Sequence, residues 1–250
     1  MDSAFTLREA FQNVKEPKAP LDGSRKQWTK DAQKAWTDLK RQYSDDLSRE
    51  FSKALEESFR SHFPNTQSGE GVGMNAASAE GIKSVDVAFN IEGLFLGLGV
   101  SVKVVGLPEE GHGYTHNFKR LTEEWTTETI LYHRYMPAAI IVGMLFLPYD
   151  CVTDRDKCSS LSFACEKFRG FQGREAASDH PELMEKIYIG LFDRVREDWV
   201  RLVDVESEIG PREVPEDQQL LTLEQIKSYL VKLFRKRNPK LRVIGMPKVS

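Results

Sequence analysis

From Trp28 to Phe63 apolar residues recur every three or four positions. QWTKDAQKAWTDLKRQY sets Trp28, Ala32, Ala35, Trp36, Leu39 and Tyr43 on one stripe, and DDLSREFSKALEESFRSHF continues it with Leu47, Phe51, Leu55, Phe59 and Phe63. The period predicts helix, stopped before Pro64, either one long helix or two broken near Ser44. The pattern then shifts to short apolar runs, predicting strands over 83–90 and 98–106 joined by IEGLFLG. HNFKRLTEEWTTETILYHRYM returns to the helical period and ends at Pro137. AAIIVGMLFLP is apolar at consecutive positions, as in a strand covered on both faces. A helix over 159–169, strands over 187–193 and 200–206, and a final helix, TLEQIKSYLVKLFRKR, with Thr222 as its N-cap, complete the pattern.

Two stretches interrupt it. EPKAPLDGS reads as a linker after a short helical start, and the glycine- and serine-rich NTQSGEGVGMNAASAEG reads as a loop. The order of elements predicts an α/β fold with a central mixed sheet flanked by helices. Residues 1–44 are expected to form an N-terminal helical extension and residues 45–250 the α/β domain.

Composition narrows the picture modestly. The 250 residues are 40% hydrophobic and 29% charged, ordinary for a folded domain, and the formal net charge of -3 gives no global basic field. The longest apolar run is far shorter than a membrane span. MDSAFTLREAF lacks the apolar segment of a secretory signal, so a cytoplasmic setting is expected. Cys151, Cys158 and Cys165 are an odd set for a disulfide framework and lack a fourth ligand for zinc; they read as small buried residues on one helical face.

The candidate chemistry lies in two valine-rich runs. SVDVAF carries Asp86 and GVSVKVV carries Lys103, each where a core strand is normally uncharged. Alternation sets Ser84, Asp86 and Ala88 on one face, opposite Val85, Val87 and Phe89, and sets Ser101 and Lys103 together on the next strand. If the strands pair antiparallel, a carboxylate, a hydroxyl and an ammonium converge. The plain alternative is a salt bridge on a half-exposed face. As a site, Asp86 can hold Mg²⁺ or Mn²⁺, and Lys103 can orient or deprotonate a water or stabilise developing charge. These are the parts for metal-assisted phosphodiester hydrolysis.

VDVAF and SVK, with a glutamate-bearing helix before them, resemble the PD-(D/E)xK nuclease superfamily and its restriction-endonuclease-like members. The resemblance covers roughly residues 45–210, including GLGVSVKVV, YTHNFKRLTEEW and LFLPYD; the motif itself is short and degenerate. It implies an endonuclease cutting double-stranded DNA, of restriction or defence type, with Asp86, Glu57, Lys103 and Ser101 at the catalytic centre and Asp86 and Glu57 on Mg²⁺; cutting both strands of a duplex in turn favours a homodimer. Ser101 departs from the pattern, which has an acid there. Glu57 is the first candidate to replace it, followed by Glu50 and Glu92. Two further readings are a catalytically inactive DNA-binding module and a defence effector triggered by a partner or small molecule.

For DNA contact the residues after the lysine strand stand out. YTHNFKR offers Asn117, Lys119 and Arg120, with Tyr114 and His116, at a helix start. Arg60, His62 and the basic run Arg235–Arg237 are secondary, the last fitting a helix end that complements the dipole. Tyr132 and His133 sit among apolar positions and read as core. SGEGVG lacks the lysine and hydroxyl of a P-loop.

Overall fold

The structure is a computed structural model that describes residues 7, 13–19, 28–69, 85–91, 95–109, 112–193, 200–241, 243 and 245–246. Helix α1 (Lys30–Phe59) is continuous, so the boundary expected at 44/45 falls inside it. Thr29 caps it, its hydroxyl accepting from the Ala32 N–H at 3.3 Å. At 30 residues it is about 45 Å long. Tyr43, Leu47, Phe51, Leu55 and Phe59 are its buried stripe.

Strands β1 (Thr66–Ser68), β2 (Val87–Ile91), β3 (Phe95–Val104), β4 (Ile140–Pro148), β5 (Lys186–Phe192), β6 (Val200–Asp204) and β7 (Leu220–Leu221) form one seven-stranded sheet, ordered as in the sequence. The mixed sheet expected is present. β1–β2–β3 and β5–β6–β7 are antiparallel, whereas β3–β4–β5 are parallel. Parallel pairing requires crossovers, supplied by α2 (Phe118–Tyr135) and α3 (Ser160–Arg169). Successive crossovers of one hand, moving one way across a sheet, land on one face. Accordingly, residues of α2 and α3 share a core with Ile141, Leu145 and Ile187. α1 and α4 (Leu223–Arg237) share the other core, with Val100, Val142 and Phe146. All nine residues of β4 are buried, as its unbroken apolar run predicts.

The sheet tolerates close approach where it lacks side chains. A Cβ at Gly190 would come within 2.3 Å of the Phe146 ring, which itself stacks on Phe51 at 4.0 Å. The cysteines differ from expectation. Cys151 lies in a 3-10 turn, Cys165 in α3 and Cys158 between them, so they do not share one helical face, although Cys151 and Cys165 are buried in the same core. Among the described residues no helix is long and apolar enough to cross a membrane.

Candidate functional site

Asp86 sits at a bend immediately before β2. Its backbone N–H donates to the Val100 carbonyl (3.1 Å), and its Oδ2 accepts from the Val102 N–H (2.7 Å). The carboxylate thus takes a ladder donor of β3 at the point where β2 begins. The bend also breaks the expected alternation: Val85 packs in the core of α2 and α3, while Val87 and Phe89 pack in that of α1 and α4. Ala88 keeps the face expected for it, and Ser84 lies outside the described residues.

Ser101 and Lys103 point toward α2. Lys103 Nζ stands 3.2 Å from Glu128 Oε1 and 3.5 Å from Glu124 Oε2. The Ser101 hydroxyl donates to Glu128 Oε2 (2.8 Å) and accepts from the Trp125 indole N–H (3.1 Å). Gly143, the β4 register partner of Ser101, makes room for that indole; a Cβ there would lie 3.2 Å from the Trp125 ring. A carboxylate is therefore present beside Ser101, but it comes from a helix 27 residues later. The sequence carried a signal for it: Phe118, Leu121, Trp125 and Tyr132 form the apolar stripe of α2, and Glu128 lies on it.

Electrostatics follow from this packing. Burial raises the Asp86 carboxyl above its ordinary value, with Lys103 and the Val102 N–H opposing and Glu128 adding to the rise. Burial alone would lower Lys103, but Glu128, Asp86 and Glu124 outweigh it and hold the ammonium above its ordinary value. Tyr132, buried beside both carboxylates, is pushed up as well, chiefly by burial. Lys103 is accordingly a firm cation, matched against three acids.

These groups lie at one end of β3, where a cleft of about 730 Å³ opens between α1 and the start of α2. Asp86, Lys103, Asn117 and Arg120 line it, as do Asp45 and Ser48 from α1. The Ser48 hydroxyl donates to the Val102 carbonyl at 3.2 Å, tying α1 to the site. His116, also on the lining, is lowered by burial against the pull of Glu109; its Nε2 lies 3.0 Å from the Asn117 amide. Lys119 is exposed and outside the lining.

The other candidates lie elsewhere. Glu57 is exposed and nine residues beyond Ser48 on α1, about 13 Å along the helix, so the structure does not bring it to Asp86. Glu50 pairs with Lys53 (2.6 Å), which holds its carboxyl below the ordinary value. Glu92 lies outside the described residues. Arg60 pairs with Glu56, and His62 Nε2 stands 2.9 Å from Glu224. Arg237 turns inward to the buried carboxylate of Glu185. Tyr114 is buried, its hydroxyl donating to Asp150 at 2.7 Å.

No protein-family model, curated protein or solved structure matches the chain. The reading of the site therefore rests on its own chemistry.

The carboxylate oxygens here are of the donor type that a hard divalent cation takes. Asp86 and Glu128 are neighbouring anionic oxygen donors, near enough for Glu128 to raise the Asp86 pKa, and with Glu124 they surround the Lys103 ammonium, Glu124 also meeting Arg120 at 3.5 Å. Among the described residues no three His, Cys, Asp or Glu side chains are grouped to hold one ion. Mg²⁺ commonly takes only one or two carboxylates, filling its shell with water and substrate phosphate.

Proposed function

We propose that this chain is a Mg²⁺-dependent endonuclease that hydrolyses phosphodiester bonds of double-stranded DNA, of restriction or defence type, with Mn²⁺ as an alternative ion. The observation that carries the reading is that Asp86 and Lys103 line one cleft while the buried Glu128 carboxylate backs Lys103 and is hydrogen-bonded to Ser101, the serine that stands where the PD-(D/E)xK pattern has an acid.

Asp86 and Glu128 would hold the ion, with Glu128 in the role that the resemblance gave to Glu57. When bound, the ion supplies a Lewis acid and an acidified water. Lys103 stabilises the negative charge that develops on the phosphoryl oxygens. Its raised pKa makes it a poor base at neutral pH, so it acts by charge rather than by removing a proton. Ser101 and Trp125 fix the Glu128 carboxylate. Arg120 and Asn117 at the rim bind backbone phosphate, the guanidinium offering a fork that suits it, and Lys119 adds charge beside them. A twofold dimer gives each DNA strand its own site.

Plasmid cleavage with Mg²⁺, Mn²⁺ or EDTA tests this. Wild type and Glu57→Gln are expected to cut with either metal and not in EDTA. Lys103→Ala and Glu128→Gln are expected to lose about 100-fold or more in rate. Wild-type rates in Lys103→Ala, or cutting that resists EDTA, would refute the assignment. Ser101 itself favours a second reading, a DNA-binding module without catalysis. Duplex bound but uncut under every metal is its signature.

A further inference from the structure

The basic residues of the cleft do not face it as free charges. Lys40 on α1 pairs with Glu109, in the loop after β3, across the cleft. Arg120 pairs with Glu124 at 3.5 Å, and Lys103 with Glu124 and Glu128. Arg41 lies 3.7 Å from Asp45. The Lys40–Glu109 pair is the most enclosed of those at the rim, at 13% and 23% side-chain exposure, against 65% and 36% for Arg120 and Glu124.

A carboxylate and a phosphate present the same kind of acceptor to an ammonium or guanidinium. Glu109 and Glu124 therefore occupy, on Lys40 and Arg120, the positions that backbone phosphates need. We propose that these two glutamates are internal competitors of substrate phosphate, and that duplex DNA enters by exchanging them for its own backbone. The inference rests on the nuclease reading and adds a control on access to the same site. A single small anion gains one exchanged pair, at little net benefit. A duplex exchanges several at once and also releases its condensed counterions, so it alone overcomes the competition.

This predicts an effect of unusual sign: removing a residue from the cleft wall strengthens binding. The experiment is fluorescence anisotropy with a labelled mixed-sequence duplex, in EDTA so that nothing is cut, using protein whose thermal melt matches wild type. Glu124→Gln is expected to raise affinity about threefold, and Glu109→Gln, from the more enclosed pair, about tenfold. Adding Lys40→Gln to Glu109→Gln is expected to abolish the gain, because the freed ammonium carries it. Unchanged or weaker binding by both single variants overturns the exchange; should one not fold, the other decides. A gain that survives Lys40→Gln also overturns it, since net charge alone would then explain the effect. If metal-dependent cleavage is observed without any gain, only the exchange fails. If no folded variant binds duplex in EDTA or with Ca²⁺, the nuclease reading fails with it.

Discussion

A carboxylate largely withdrawn from water is costly as an anion, and Asp86 is such a group. Its folded-state pKa lies above the ordinary 3.8, so the native state keeps the proton to higher pH than the unfolded chain does. The resulting penalty is fully present above the folded-state value. It fades as pH falls through that value and is gone below 3.8. Asp86→Asn, which keeps an oxygen to accept from Val102, is therefore expected to melt higher than wild type at neutral pH and to converge with it in acid, while losing metal-dependent activity. Thermal melts across pH check this; a variant less stable at neutral pH would show that the Lys103 attraction outweighs burial. Asp86 and Lys103 were legible in the sequence because a charge inside a valine run is conspicuous. Glu128 was not singled out, although it breaks the apolar stripe of α2, because its meaning depends on which strand that stripe covers.

Helices were the elements the sequence specified best. The α4 start has a capping box, with the Thr222 hydroxyl accepting from the Gln225 N–H and the Gln225 side chain accepting from the Thr222 N–H. β1 and β7 were not foreseen: TQS and LL have no period of their own and become strands only by pairing with β2 and β6. Ser44 did not break α1, because its hydroxyl is used in tertiary structure, accepting from the Gly106 N–H at 3.3 Å. The packing of α2 on β3 and β4 is what sets the Glu128 carboxylate. Trp125→Phe removes the indole donor to Ser101 while filling most of the same space. It is expected to cost about 1 kcal/mol of stability in urea unfolding and to lower the metal-dependent cleavage rate with little change in duplex affinity. Loss of affinity in proportion to rate would mean that Trp125 shapes the cleft rather than the carboxylate.

At the scale of the molecule, the cleft and the tightest polar anchor occupy different ends of the sheet. Glu185, just before β5, is fully buried; its Oε2 accepts from the Ile141 N–H at 2.5 Å, and its Oε1 meets Arg174 (2.9 Å), Arg237 and His133 (3.3 Å). Against burial, which would raise it, His133 and Arg237 hold this carboxyl below its ordinary value. A depressed carboxyl contributes stability that is present above the unfolded value and is lost as pH falls through the folded one. Glu185→Ala leaves two buried guanidinium groups without their anion and is expected to cost about 3–5 kcal/mol, with a weaker acid dependence of the melting temperature than wild type. An equal loss at every pH would place the effect in packing instead. The strand order has a further consequence, for the growing chain. Each described strand lies beside its immediate predecessor in the sequence, so none of them has to be threaded between two already paired. During synthesis, domains form from the N-terminal side, and this sheet can grow one edge at a time in the order its strands emerge. The exception is Glu185: its partner Arg237 is made 52 residues later, and until α4 docks that carboxylate waits with only part of its counter-charge. The last of the described helices is then the one that completes this buried cluster.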